Sequence, residues 1–151
     1  MKSFSKFIVI LSLMFVFISN ANSSDFLGVG QYLNKYKVEI RNKEFYHISG
    51  VFQRCSGVFG AYNKFLPTSK KEMKSKFINL SVKSMEKAMD TLLMQNKNKA
   101  ELYLDQVNNA ARYFTDAYYK ELQNDQLRTG SITEGKSSID MKLCIKLLSN
   151  M

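Results

Sequence analysis

Histidine and cysteine, the usual zinc ligands and common catalytic side chains, are scarce in this chain of 151 residues. It has one histidine, His47, two cysteines and no tryptophan. A structural zinc site needs four ligands, usually Cys or His, and a catalytic one needs three, while nucleophilic catalysis needs a base within reach of the nucleophile. A glycine-rich phosphate-binding motif is also missing. The sequence therefore predicts no metal site, no cofactor and no enzymatic activity.

Arginine is rare too, although the chain is basic. Lysine and arginine together number 22 against 13 acidic residues, for a formal net charge of +9, and only four of the basic residues are arginine. Tight phosphate recognition favours the planar arginine fork, so we expect no specific nucleic-acid binding. Lysines are densest at Lys70, Lys71, Lys74 and Lys76 and again at Lys142 and Lys146. Association with anionic membrane or cell-wall surfaces is therefore one alternative function.

The first residues have the three parts of a signal peptide. Lys2 and Lys6 give a positive start, residues 7–18 form an almost unbroken apolar run, and residues 19–21 are small enough for cleavage. The apolar run of about 12 residues is shorter than the roughly 20 that a membrane-spanning helix needs. This pattern predicts a cleaved signal peptide, with an uncleaved N-terminal anchor as the alternative.

Cleavage would leave one domain in the exported protein. The signal peptide covers residues 1–21 and the predicted helical bundle domain covers residues 22–151. Loss of Lys2 and Lys6 would lower the formal net charge from +9 to +7. We expect this domain in the periplasm or outside the cell.

Export also determines how the two cysteines are interpreted. Cys55 and Cys144 belong to no CxxC motif, and in an oxidising compartment such a pair is more often a disulfide than a metal or redox site. A bond closing a loop of about 90 residues would stabilise the fold by about 4 kcal/mol in the chain-entropy model. The sequence therefore predicts a Cys55–Cys144 disulfide.

Proline occurs once, and its position predicts the end of a central helix. Apolar residues recur at helical spacing on both sides of Cys55, over residues 48–66. Pro67 follows directly, and the residue before a proline is disfavoured in the α conformation. We expect this helix to start between residues 42 and 46.

The central helix also carries a stripe of very small residues. They are Gly50, Gly57, Gly60 and Ala61. Each glycine costs about 1 kcal/mol relative to alanine inside a helix, and close approach of a neighbouring helix would offset that cost. Ala110 and Ala111 are also small, so we expect this neighbour to be the fourth predicted helix, which starts near Asn98.

Three further helices are predicted from the apolar spacing of the remaining chain. They start near Ser69, Asn98 and Ser137. The first extends to about residue 95, the second ends between residues 124 and 128, and the third is short. Two of the starts match a capping box, Ser69 with Glu72 and Ser137 with Asp140.

Residues 26–41 fit two kinds of secondary structure. Val29, Leu33, Tyr36 and Ile40 have helical spacing, but residues 36–40 also alternate between apolar and charged, as in a strand. We favour a helix because an isolated strand would have no partner. The predicted fold is all-α: a single antiparallel helical bundle of four main helices, with a short fifth and one disulfide.

Two groups of residues are candidates for a binding surface. On a helix, Glu44, His47 and Arg54 lie in one neighbourhood, where they could contact a small ligand or an anion. The alternative is a histidine at the edge of the bundle with a local salt bridge. Separately, four methionines on or beside the third helix would give an adaptable partner-facing surface, or else fill the core: Met73, Met85, Met89 and Met94.

These features favour a non-catalytic exported binding or interaction module. The outline of signal peptide, helical body and two distant cysteines is typical of small exported bacterial proteins such as acid-stress chaperones and helical immunity proteins. The alternatives are a basic protein on anionic surfaces and an enzyme that uses His47.

Overall fold

Six α-helices make up most of residues 26–150, the part of the chain that this computed structural model describes. They are α1 (Val29–Lys35), α2 (Lys37–Arg41), α3 (Phe45–Phe65), α4 (Lys71–Gln95), α5 (Ala100–Thr129) and α6 (Lys136–Ser149), with a 3-10 turn at Lys97–Lys99. No strand occurs within the described residues, so the all-α prediction is confirmed. The predicted signal peptide at residues 1–21 lies outside the described residues.

The first predicted helix is divided in two. Residues 26–41 are helical rather than extended, but α1 and α2 are interrupted at Tyr36, whose backbone leaves the helical region. The bundle therefore consists of three long helices, the 14-residue α6 and two short helices at its start. Within residues 26–150, none of the helices combines the length and apolar character needed to cross a bilayer.

Helix α3 is the centre of the fold, as predicted. Twelve of its 21 residues are buried, against four of 25 in α4, and it contacts every other helix. A helix buried on nearly all sides must be apolar or small nearly all round, which is the composition of this segment. The helix ends at Phe65, and Leu66 is extended in front of Pro67.

The Cys55–Cys144 disulfide is confirmed, and it joins α3 to α6. Both cysteines are fully buried, and their Cα atoms are 5.4 Å apart. The bond closes a loop of 89 residues that contains all of α4 and α5. It therefore fixes the last helix to the central one.

Gly57 and Gly60 of the small-residue stripe do pack against α5, but further along than predicted, whereas Gly50 packs against Tyr32 of α1. A Cβ atom at Gly57 would overlap Phe114, including its backbone, and one at Gly60 would meet the side chain of Thr115. The contact therefore lies about one turn beyond Ala110 and Ala111. The large Phe114 fits there because Gly57 leaves room for its Cβ and backbone.

Both predicted capping boxes are wrong. Helix α4 starts at Lys71, because a turn from Pro67 to Lys70 precedes it, and Glu72 pairs with Lys76 instead. Helix α6 starts at Lys136 with no side-chain cap from its own first turn. Two buried carboxylates, Asp140 and Asp125, instead cap helix N-termini through tertiary contacts.

The first of these carboxylates, Asp140, caps α1 rather than its own helix. It accepts hydrogen bonds of 2.9 Å from the amides of Val29 and Gly30, and the Tyr118 hydroxyl donates to it at 2.7 Å. The second, Asp125, accepts a 3.3 Å bond from the Ser137 amide at the start of α6. Two helix N-termini are thus satisfied through tertiary contacts, which also hold α1, α5 and α6 together.

Candidate functional site

A cleft of about 480 Å³ opens between α1, α3 and α5, and it contains two of the three predicted site residues. His47 and Arg54 line it from α3. Glu44 lies beside it, with 3.7 Å between its Oε2 atom and Nε2 of His47. Aromatic rings form much of the wall: Tyr32, Tyr36, Tyr46, Tyr113 and Phe114.

His47 is held by neighbours on several sides. Its Nδ1 atom lies 3.1 Å from the Tyr32 hydroxyl, and its ring stacks on Tyr36 at 4.3 Å between centroids. Tyr46 meets the same imidazole edge-on. These contacts fix the ring plane, so His47 is a rigid part of the cleft wall.

Arg54 is fixed even more tightly. Its Nε atom donates to the Leu27 carbonyl and its Nη1 atom to the Gly50 carbonyl, each at 2.9 Å. The guanidinium also lies over the rings of Tyr32, at 3.6 Å, and Phe114, at 4.4 Å. Burial lowers the pKa of Arg54 and raises the pKa of Tyr32. Arg54 therefore holds the segment before α1 against α3 and α5. The predicted contact of Arg54 with an anion stays a prediction.

Gln53 is a cleft residue that the sequence analysis missed. It is only 8% exposed, and its Nε2 atom donates to Ser49, whose hydroxyl in turn donates to the Ala88 carbonyl of α4. Its side-chain carbonyl accepts no hydrogen bond from any of residues 26–150. This oxygen is not among the side-chain atoms that are fully buried without a partner, so it is open to the cleft, where water or a ligand can donate to it.

Helix α5 supplies the opposite polar wall. Gln106, Asn109 and Tyr113 follow one another at helical spacing and all line the cleft. This i, i+3, i+7 stripe is visible in the sequence, and it could have been recognised as a polar face. Gln53 could have been recognised as an uncharged polar residue beside Arg54 in a stretch, residues 48–62, that is otherwise apolar or small.

A second concave surface runs between α4 and α5. Its more apolar part has a volume of about 340 Å³ and is lined by Val82, Met85, Glu86, Met89, Asp90, Leu104 and Val107. A neighbouring depression of about 380 Å³ shares Met85 and is lined mainly by polar residues. We call the two together the α4–α5 groove. Two of the four methionines predicted to face a partner, Met85 and Met89, lie in it.

The lysine cluster at the start of α4 is partly engaged within the protein. Lys74 donates to the carbonyls of Asn63 and Leu66 at the end of α3, and Lys76 forms an exposed salt bridge with Glu72. Lys70 and Lys71 line a shallow depression beside them. Lys74 is therefore directed at the end of α3, and Lys76 is the member of the cluster whose charge is paired.

No group of three or more His, Cys, Asp or Glu residues within residues 26–150 is arranged to hold a metal ion. No protein-family model matches the chain, and neither does any curated protein or any solved structure.

Proposed function

We propose that this protein is a non-catalytic, exported binding module that holds an amphipathic helix of a partner protein in the α4–α5 groove. The observation that carries the proposal is the exposed apolar lining of that groove. Val82 and Leu104 are 47% and 51% exposed although they face a concave surface together with Met85 and Met89. Covering apolar surface contributes roughly 25 cal/mol per Å², and a groove between two helices suits a third helix.

The methionines favour a chaperone-like role over an immunity-like one. Met85 and Met89 have unbranched, flexible side chains, which adapt to partners of different shape. An immunity-like protein recognises one partner and would be expected to use more rigid side chains. Recognition of several related apolar helices is therefore the version of the proposal that we favour.

The charge at the groove edge predicts a feature of the partner. Glu86 and Asp90 line the apolar part of the groove, although the protein as a whole is strongly basic. A partner helix with lysine or arginine beside its apolar face would pair with these carboxylates. Export is supported by the N-terminal sequence pattern and by the disulfide.

The two alternatives have weaker support. Association with anionic surfaces would rely on lysines, of which Lys74 and Lys76 already have partners. Catalysis by His47 would need a nucleophile beside it, whereas its contacts are Glu44 and the tyrosines that fix its ring.

The test uses two leucine-containing helical peptides of about 18 residues, one with lysine and one with glutamate on the polar face. We expect the lysine peptide to bind and the glutamate peptide not to bind. A Leu104→Gln variant should weaken binding about tenfold. The matched control is Leu102→Gln, because Leu102 is also exposed on α5 but does not line the groove.

Each outcome decides the proposal. Non-specific attraction would favour the glutamate peptide, because the protein is positive, so preference for the lysine peptide would identify the groove. Equal loss of affinity in the two leucine variants, or preference for the glutamate peptide, would contradict it.

A further inference from the structure

The cleft between α1, α3 and α5 differs chemically from the α4–α5 groove. Its walls are aromatic rings and uncharged amides rather than aliphatic and thioether side chains. Two of the rings, Tyr46 and Tyr113, are more than half exposed at its edge. Such a mixture of flat apolar faces and neutral hydrogen-bonding groups points to a ligand with both kinds of surface.

The charged groups of the cleft are already engaged. The Arg54 guanidinium donates to two backbone carbonyls and lies over Tyr32 and Phe114. The positive charge of Arg54 disfavours a cationic ligand at those rings. Its Nε and Nη1 donors point at the carbonyls of Leu27 and Gly50, which disfavours an anion that would need both of them. A neutral ligand therefore fits the site better than an ion.

The uncharged hydrogen-bonding groups that line the cleft are tyrosine hydroxyls and three side-chain amides. Gln53 is more than nine-tenths buried, lines the cleft and has a side-chain carbonyl with no partner among residues 26–150. Asn109 and Gln106 lie across the cleft on α5. Because each amide both donates and accepts, this set matches hydroxyl groups, which also do both.

We propose that this cleft binds a neutral carbohydrate. A pyranose ring would place its C–H face on the exposed ring of Tyr113, which lies on the same helix as Gln106 and Asn109. Its hydroxyls would bond to the carbonyl of Gln53 and to the amides of Gln106 and Asn109. The volume of about 480 Å³ lies within the usual range for small-molecule sites, roughly 300–1,000 Å³. This inference goes beyond the proposed function, since it uses a different face of the protein.

The test is titration of the disulfide-bonded protein with cellohexaose, chitohexaose and maltohexaose, followed by saturation-transfer NMR and calorimetry. Trigalacturonate, adenosine and inorganic phosphate serve as charged or aromatic comparisons. We expect at least one neutral oligosaccharide to bind with a dissociation constant below about 1 mM, and the comparisons to bind at least tenfold more weakly.

The variants identify the site. Tyr113→Ala and Asn109→Ala should each weaken the sugar at least fivefold. Asn108→Ala should leave its affinity unchanged, because Asn108 is the adjacent residue and lines the α4–α5 groove instead. No binding of any neutral oligosaccharide up to about 10 mM, tighter binding of a comparison compound, or equal effects of the two asparagine variants would each overturn the proposal.

Discussion

Gly57 determines how closely α3 and α5 approach each other. A Cβ atom built there would lie 2.7 Å from the carbonyl carbon of Phe114 and nearer still to its Cβ. Backbone atoms cannot rotate away, so the clash can be relieved only by separating the helices. At Gly60 the nearest atom is the hydroxyl of Thr115, a side-chain end that can move.

We therefore predict that Gly57→Ala destabilises the protein by about 1–3 kcal/mol, as overpacking does. Gly60→Ala is the matched control, and it should cost less, because only the side chain of Thr115 has to move. Both substitutions gain about 1 kcal/mol of helix propensity relative to glycine, so the difference between them measures the backbone clash at Gly57. Urea unfolding followed by circular dichroism measures both. A Gly57→Ala protein as stable as Gly60→Ala would show that α3 and α5 are further apart than described.

Gln53 shows why site residues are harder to predict than helices. Its spacing in the sequence gives its position on α3, but its burial depends on α4, where the Ala88 carbonyl anchors Ser49 and Ser49 in turn holds the glutamine. His47 was recognised because a lone histidine is conspicuous by residue type alone. A glutamine becomes informative only when its unpaired oxygen and the facing wall are known.

At the scale of the element, the connection between Asp140 and α1 explains how a seven-residue helix is held in place. Isolated helices of this length are unstable in water. Here the carboxylate of α6 accepts from the first amides of α1, and Tyr118 of α5 completes the network. Helix α1 therefore depends on α6, which is itself fixed to α3 by the disulfide.

We expect Asp140→Asn to loosen α1 selectively. The amide can still accept one bond, but it loses the charge that favours a helix N-terminus, at a cost of about 0.5–2 kcal/mol. Hydrogen exchange should accelerate in residues 29–35 and remain unchanged in the middle of α4. Glu72→Gln, which removes only an exposed salt bridge, is the control, and equal exchange in α1 of both variants would contradict the capping role.

The helices themselves could be predicted because their signals are local. The bounds of α3 follow from apolar spacing and from Pro67, and its neighbour α5 follows from the glycine stripe. The caps could not be predicted, because Asp140 lies 110 residues from Gly30 in sequence. The end of α5 was also placed too early, because Gly130 adopts the left-handed conformation that terminates a longer helix.

The disulfide gives the second prediction at this scale. Replacing both Cys55 and Cys144 by alanine should lower the free energy of unfolding by about 2–5 kcal/mol. In this variant, amide hydrogen exchange should be faster in α6 than in α4. Unfolding in urea with and without reductant measures the same quantity in the parent protein. Equal stability of the reduced and oxidised forms would show that packing alone holds α6.

For the whole molecule, three buried tyrosines link stability to pH. Burial raises the pKa of Tyr32, raises that of Tyr118 well above 10, and raises that of Tyr62 to about 12 with the help of the negative charge of Asp125. Each hydroxyl has a hydrogen-bonding partner in the fold; that of Tyr62 donates to the Ile132 carbonyl at 2.8 Å. All three residues connect separate helices or loops, so ionisation of each would weaken a tertiary contact.

The folded protein keeps these phenolic protons at a pH where the unfolded chain, with tyrosine pKa values near 10, has begun to lose them. Stability from this source is complete below about pH 10 and falls as the pH rises toward 12, with Tyr62 contributing about 2 kcal/mol of the loss. We predict that the free energy of unfolding declines over this interval and that Tyr62→Phe declines less steeply. Both proteins are first compared at pH 7, so that the pH-independent loss of the hydrogen bond to Ile132 can be subtracted. Parallel declines from pH 10 to 12 would mean that Tyr62 ionises equally easily in the folded and unfolded protein.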